Sequence, residues 1–150
     1  LKKPGYRLPT VSEWRIAALS GVGGERFYGT DLSLHVRYSW CFDNNAEYMR
    51  SIGSTALQPD GTIIIVSKPV GLLRPNDFGL FDVLGNVAEW CNDSNPLSRG
   101  ENGQPLQRAI MGGAAGGNSR YDNVVEVPFH LMDIEYNSHG FRVARTIPEP

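Results

Sequence analysis

Pro75-Asn76-Asp77-Phe78-Gly79-Leu80-Phe81-Asp82-Val83-Leu84-Gly85-Asn86-Val87-Ala88-Glu89-Trp90-Cys91 is the stretch on which the reading of this chain turns. Turn formers recur at Pro75, Gly79 and Gly85, with Phe78, Leu80, Phe81, Val83 and Leu84 between them. Such punctuation interrupts a helical period every few residues and predicts an ordered, buried loop. Asp82, Asn86, Glu89 and the backbone around Gly85 make that loop dense in oxygen donors. Calcium takes about six to eight such oxygens, mixing carboxylates with carbonyls from a tight turn. Side chains of the same types also stabilise turns by hydrogen bonding their own backbone.

Working outward, 150 residues suit one domain that buries roughly two thirds of its unfolded surface. Apolar residues make up 41% and charged residues 20%, which excludes a disordered or fibrous chain. The net charge of −2 and the lack of a basic block argue against nucleic acid as a partner. The longest apolar run, residues 63–66, is far below the roughly 20 residues of a membrane span. Seventeen glycines and ten prolines among three Trp, six Tyr and six Phe indicate a compact, loop-rich domain. Two cysteines, Cys41 and Cys91, permit at most one disulfide and leave the compartment open.

Local signals place a few elements. Thr10 and Glu13 fit a capping box, with Val11, Trp14, Ala17 and Ala18 on one face and Gly21 as the stop, so a helix of about ten residues is predicted. A short helical turn is expected within residues 30–36, capped by Thr30 or Asp31. Strands are expected at residues 62–66, after the turn Pro59-Asp60-Gly61, at residues 108–111, and at residues 141–145. Residues 93–107 read as a polar surface loop. Trp14 belongs to the core, and Trp40 and Trp90, each beside a cysteine, are expected to be packing residues.

Several chemistries are excluded. Gly112-Gly113-Ala114-Ala115-Gly116-Gly117 lacks the Lys and Ser/Thr of a phosphate-binding loop, and neither a nucleophile elbow nor a Cys-x-x-Cys pair occurs. His130, Asp133, Glu135 and His139 put two imidazoles and two carboxylates within ten residues, a set that can hold non-haem iron. Ser138 and His139, being adjacent, are not expected to form a catalytic hydrogen-bonded relay with Asp133.

Four ordered motifs carry a family resemblance. Tyr6-Arg7-Leu8-Pro9-Thr10 with Glu13-Trp14, the stretch from Pro75 to Cys91, Arg108 with Gly112-Gly113, and Gly140-Phe141-Arg142-Val143-Ala144-Arg145 resemble boxes of the formylglycine-generating-enzyme (sulfatase-modifying factor) superfamily. The resemblance implies an α+β, C-type-lectin-like fold, rich in loops. Family members have an N-terminal part before the first box that this chain lacks. Residues 1–150 are therefore expected to be the C-terminal portion of one such domain, partnered by an N-terminal segment or by other domains of a parent protein. The resemblance also implies a calcium site formed by the Asp82 and Glu89 side chains with the Gly85 and Val87 carbonyls.

The family's oxidases hold copper with two cysteines after the Gly-Gly turn. Counting from Gly113, those positions are Gly117 and Asp122 here, so copper and formylglycine synthesis are not expected. The resemblance then points to a non-catalytic module for ligand or protein binding or regulation in a larger bacterial protein. Its contacts would come from the altered residues 114–139: Asn118, Arg120, Tyr121, Asp122, Tyr136 and His139. The alternative is a metal-dependent oxidoreductase of the same superfamily, resembling iron-dependent sulfoxide synthases, with His130, His139 and Asp133 or Glu135 as ligands.

Overall fold

A computed structural model describes residues 5–51, 67–117 and 122–147. The strand expected at residues 62–66 lies outside them. The chain enters on β1 (Gly5–Arg7), forms α1 (Val11–Leu19), a 3-10 turn (Leu32–Leu34) and α2 (His35–Tyr38), then β2 (Ser39–Trp40) and α3 (Phe42–Ser51). β3 (Leu84–Gly85), β4 (Ala88–Ser94), β5 (Gln107–Met111), β6 (Phe129–Leu131), β7 (His139–Gly140) and β8 (Ala144–Thr146) follow. No helix among the described residues is long and apolar enough to cross a membrane.

The largest sheet has the order β6-β5-β4-β7. β5 runs antiparallel to both β4 and β6, whereas β7 joins β4 in parallel. β1 and β8 close the two ends of the chain on each other as an antiparallel pair. β2 and β3 form a two-residue parallel pair, Ser39 opposite Leu84 and Trp40 opposite Gly85. The core lies between α1 and the four-stranded sheet, where Val11, Trp14 and Ala18 meet Leu84, Cys91 and Met111.

α1 begins where its sequence says it should. Thr10 Oγ1 accepts from the Glu13 amide at 3.2 Å, and Glu13 Oε2 accepts from the Thr10 amide at 2.8 Å. Glu13 also takes both ends of the Arg7 guanidinium at 2.6 Å, which ties β1 to the helix start and holds its carboxyl down at about 2. The helix stops one residue before the expected glycine, because Ser20 itself turns left-handed at φ 53°.

Other expectations are refined. Asp31 caps the 3-10 turn through the Ser33 amide. The expected last strand is split: β7 ends at Gly140, residues 141–143 are unpaired, and β8 starts at Ala144. β4 rises out of the end of the expected loop and continues into the stretch read as polar surface. α3, β1 and β6 are additions. α3 is polar on average although Phe42, Ala46 and Met49 fall at helical spacing, and its start is fixed locally by Asn44 Oδ1 accepting from the Cys41 amide at 2.9 Å.

Candidate functional site

The Gly85-centred loop is organised around Glu89, which sits on β4 and is 5% exposed. Arg142, from the segment between β7 and β8, approaches it side-on: Nε donates to Oε2 and an Nη2 hydrogen to Oε1, both at 2.5 Å. Trp14 Nε1 donates to Oε2 at 2.6 Å. An ionised carboxylate has about four acceptor positions, and three are filled here. The same Arg142 Nη2 lies 3.3 Å from the carbonyls of Phe81 and Asp82. The Asp82 carboxylate faces the other way and accepts from the Gly71 amide at 2.7 Å. Of the expected calcium ligands, the Asp82 and Glu89 side chains thus take different partners. An internal guanidinium takes both oxygens of Glu89. In this arrangement the Asp82 and Glu89 carboxylates each have other partners, and the loop is pinned by Arg142.

A second assembly forms on the outer side of the four-stranded sheet. Tyr136 and His139 stack with ring centroids 4.3 Å apart, His130 lies 5.1 Å from Tyr136, and Trp90 lies 5.3 Å from His139. His139 Nε2 and His130 Nδ1 share a hydrogen bond of 3.0 Å. Ser138 Oγ and His139 Nδ1 are 3.1 Å apart, so the adjacent pair does hydrogen-bond, but its third member is His130 rather than Asp133. Beside these rings opens a cavity of about 510 Å³, bordered by Trp90, Arg108, Met132, Glu135, Tyr136 and His139. Trp90, expected to be packing, lines this cavity instead, because β4 turns Cys91 into the core and Trp90 to the opposite face.

Burial and the neighbouring His130 push His139 down to about 4. Its folded value lies below the ordinary 6.5, so the neutral ring contributes stability above pH 6.5 that is lost as the pH falls towards 4. Urea midpoints are expected to fall between pH 7 and pH 5, and to fall less in His139→Phe. An equal slope in the two proteins would place the acid sensitivity elsewhere.

The third assembly is fully enclosed. His35 Nε2 meets Asp122 Oδ2 at 3.1 Å, Ser39 Oγ donates to the same oxygen at 2.7 Å, and Tyr28 Oη contacts His35 Nδ1 at 2.5 Å. Cys41 stands beside them with no exposed surface. Burial opposes the charged imidazole, but hydrogen bonds to Asp122 and Cys41 outweigh it and lift His35 to about 9. Burial also pushes Asp122 up, against the pull of its His35 and Ser39 hydrogen bonds, so this is not the shift of an exposed ion pair.

The family model for the sulfatase-modifying factor enzyme 1-like domain matches residues 2–147. The chain belongs to that family. It is 34% identical over 90 residues to the formylglycine-generating enzyme of Thermomonospora curvata, a match covering 59% of this chain and 27% of that enzyme. It is 37% identical over 90 residues to the serine/threonine-protein kinase pkn1 of Chlamydia pneumoniae, covering 59% of this chain and 11% of the kinase. Treponema denticola variable protein 1 superposes with a TM-score of 0.72 at 27% identity, over 97% of this chain and 49% of that one. The sulfatase-modifying-factor fold is therefore present, α+β and C-type-lectin-like, while the chain spans less than a third of the curated relatives named here.

Within this sulfatase-modifying-factor domain, the positions counted as the family's copper cysteines lie in the enclosed cluster. The ideal Cβ of Gly117 would come within 3.9 Å of Asp122 Oδ1. The residues offer copper one thiol, from Cys41, in place of two. Cys91 is not bonded to Cys41, and its thiol, raised to about 12 by burial, lies against its own strand. A bis-thiolate copper site does not fit.

The other sequence candidates separate clearly. Tyr136 and His139 come together at the cavity, Asp122 is wholly buried, and Asn118, Arg120 and Tyr121 lie outside the described residues. Among the described residues, the one convergent group of three His, Cys, Asp or Glu donors is His35, Cys41 and Asp122. Asp133 and Glu135 thus do not complete a three-ligand set with His130 and His139. Arg142, His35 and Arg108 are what residue-by-residue reading missed. Arg142 stood inside a quoted motif, but nothing local named its partner.

Proposed function

We propose that this chain is a non-catalytic, ligand-binding unit of a larger protein, with the Trp90–Tyr136–His139 cavity as its site. The observation that carries the reading is the aromatic wall around a cavity of about 510 Å³. Its size falls within the range of about 300–1,000 Å³ usual for small-ligand sites. Flat rings favour a ligand with a planar face, and Arg108 and Glu135 at the border favour a carboxylate and an amine on it. Arg108 is held in place by Nη1 donating to the Asn92 carbonyl and side chain at 2.7 and 2.8 Å. A ligand of this chemistry is an aromatic amino acid or the end of a peptide.

The match to only 11% of the Chlamydia pneumoniae kinase supports use as a unit within a longer chain. The sequence alternative, a metal-dependent oxidoreductase using His130 and His139, gains no support from Asp133 or Glu135. The test uses phenylacetate and phenylalanine as probes, followed by NMR at the Trp90 indole N–H. Saturable shifts of that signal are expected, with affinity about tenfold weaker in Tyr136→Ala, in line with about 0.5–1.5 kcal/mol per aromatic pair beyond the area lost. An unmoved Trp90 signal, or equal binding by the variant, would overturn the reading. So would conversion of a peptide cysteine to formylglycine by the purified chain.

A further inference from the structure

We infer that His35, Cys41 and Asp122 form a buried zinc site, separate from the surface cavity. The three donor atoms lie within 4.8 Å of one another, and His35 Nε2 is 3.1 Å from Asp122 Oδ2. Tetrahedral zinc with bonds of about 2.0–2.3 Å needs its donors roughly 3.3–3.8 Å apart. The imidazole and carboxylate already stand close to that separation. Bringing the thiol in asks for a contraction of up to about 1.5 Å.

A second observation points the same way. Asp122 has no exposed surface, and its Oδ1 has no hydrogen-bond partner among the described residues. Buried carboxylate oxygens are seldom left without one. Gly113 leaves that oxygen its room, since a Cβ there would stand 2.0 Å from it. The surrounding groups are those that orient ligands. Tyr28 Oη, 2.5 Å from His35 Nδ1, holds the ring so that Nε2 faces Asp122, and zinc would take the place of the proton between them. Ser39 holds Oδ2, and Arg26 Nε donates to the Asp122 carbonyl at 3.0 Å.

Imidazole, thiolate and carboxylate together are the donors of a borderline metal such as zinc, and too soft a set for calcium. Three protein ligands leave a fourth position for water or the Ser39 hydroxyl. Enclosure of all three side chains makes the site structural. It would clamp α2 and β2 to the chain that follows the Gly112-Gly113 turn, where Ser39–Trp40 has only a two-residue strand partner.

The test is metal content and cobalt spectroscopy on the purified full chain. One zinc per chain is expected after dialysis without chelator. Cobalt replacing it should show the near-ultraviolet absorption of a thiolate bound to cobalt. That band should persist in Cys91→Ser and vanish in Cys41→Ser, with zinc affinity lower by at least about a hundredfold. The spectrum of the unsubstituted chain keeps the test decisive if Cys41→Ser fails to fold. Absence of stoichiometric zinc, a cobalt complex lacking the thiolate band, or a band that depends on Cys91 would each overturn the site.

Discussion

Arg142→Met is expected to lower stability by about 3–5 kcal/mol, the usual cost of leaving a buried charge, here that of Glu89, without its partner. Glu89 keeps its place on β4 in that variant, with its side chain 6% exposed against 24% for Arg142, and among the described residues retains only the Trp14 indole as a side-chain donor. Methionine preserves much of the aliphatic stem of the arginine, so the loss reports the charge and its two hydrogen bonds more than the packing. Urea unfolding should show a lower midpoint at an unchanged slope. The Arg7–Glu13 pair supplies the contrast. It is also two-pronged at 2.6 Å, but its side chains are 29% and 37% exposed. A pair so open to water contributes about 0–1 kcal/mol. Equal losses at Arg7 and Arg142 would mean that burial is not what makes the Glu89 pair matter. Because Arg142 already neutralises Glu89, calcium and chelator should leave the melting temperature of the unsubstituted chain where it is. A melt raised by calcium would show that the ion displaces the guanidinium.

Legibility in the sequence followed the distance over which each feature is decided. α1 was plain because Thr10, Glu13, Val11 and Trp14 settle it among themselves. β5 was plain because residues 108–111 run apolar into two glycines, and the family motifs delivered the fold. Trp90 was misplaced because its neighbour Cys91 invited a shared role. The alternation of β4, which buries Glu89 and Cys91 on one face and turns Trp90 and Asn92 to the other, would separate them once the strand is recognised. α3 was missed for a different reason: its sequence is polar, and only the Asn44 contact marks its start.

The sites are less legible than the fold because their members meet across the chain. Arg142 reaches back 53 residues to Glu89, and Asp122 reaches back 87 to His35. Proximity in sequence makes His130 and His139 candidate metal ligands, yet the fold directs them at each other and at Tyr136. Spacing alone carries no information on which way a ring is turned.

Gly85→Ala is expected to cost about 2–5 kcal/mol, the sum of a left-handed backbone penalty of about 1–2 and overpacking of about 1–3. Gly85 has φ +71°, and an added Cβ would lie 2.1 Å from Ser39 Oγ, 2.4 Å from the Trp40 carbonyl oxygen and 2.9 Å from the Trp40 nitrogen. Backbone cannot swing aside as a long side chain can, so relief requires β2 and β3 to part. That would break the Asn86 N–H bond to the Trp40 carbonyl, now 2.9 Å, and strain the Gly85 N–H bond to Gly112, now 2.6 Å. Gly79→Ala is the control, because φ is +75° there and nothing lies within 4 Å of its Cβ. It should lose only the backbone part, about 1–2 kcal/mol. Equal losses at the two glycines would remove close approach as the reason for Gly85. The larger loss has a further consequence, because Ser39 Oγ also holds Asp122 Oδ2 at 2.7 Å. A Cβ at Gly85 pushes on the hydroxyl that positions the enclosed carboxylate, so zinc affinity should fall with stability in Gly85→Ala and hold in Gly79→Ala.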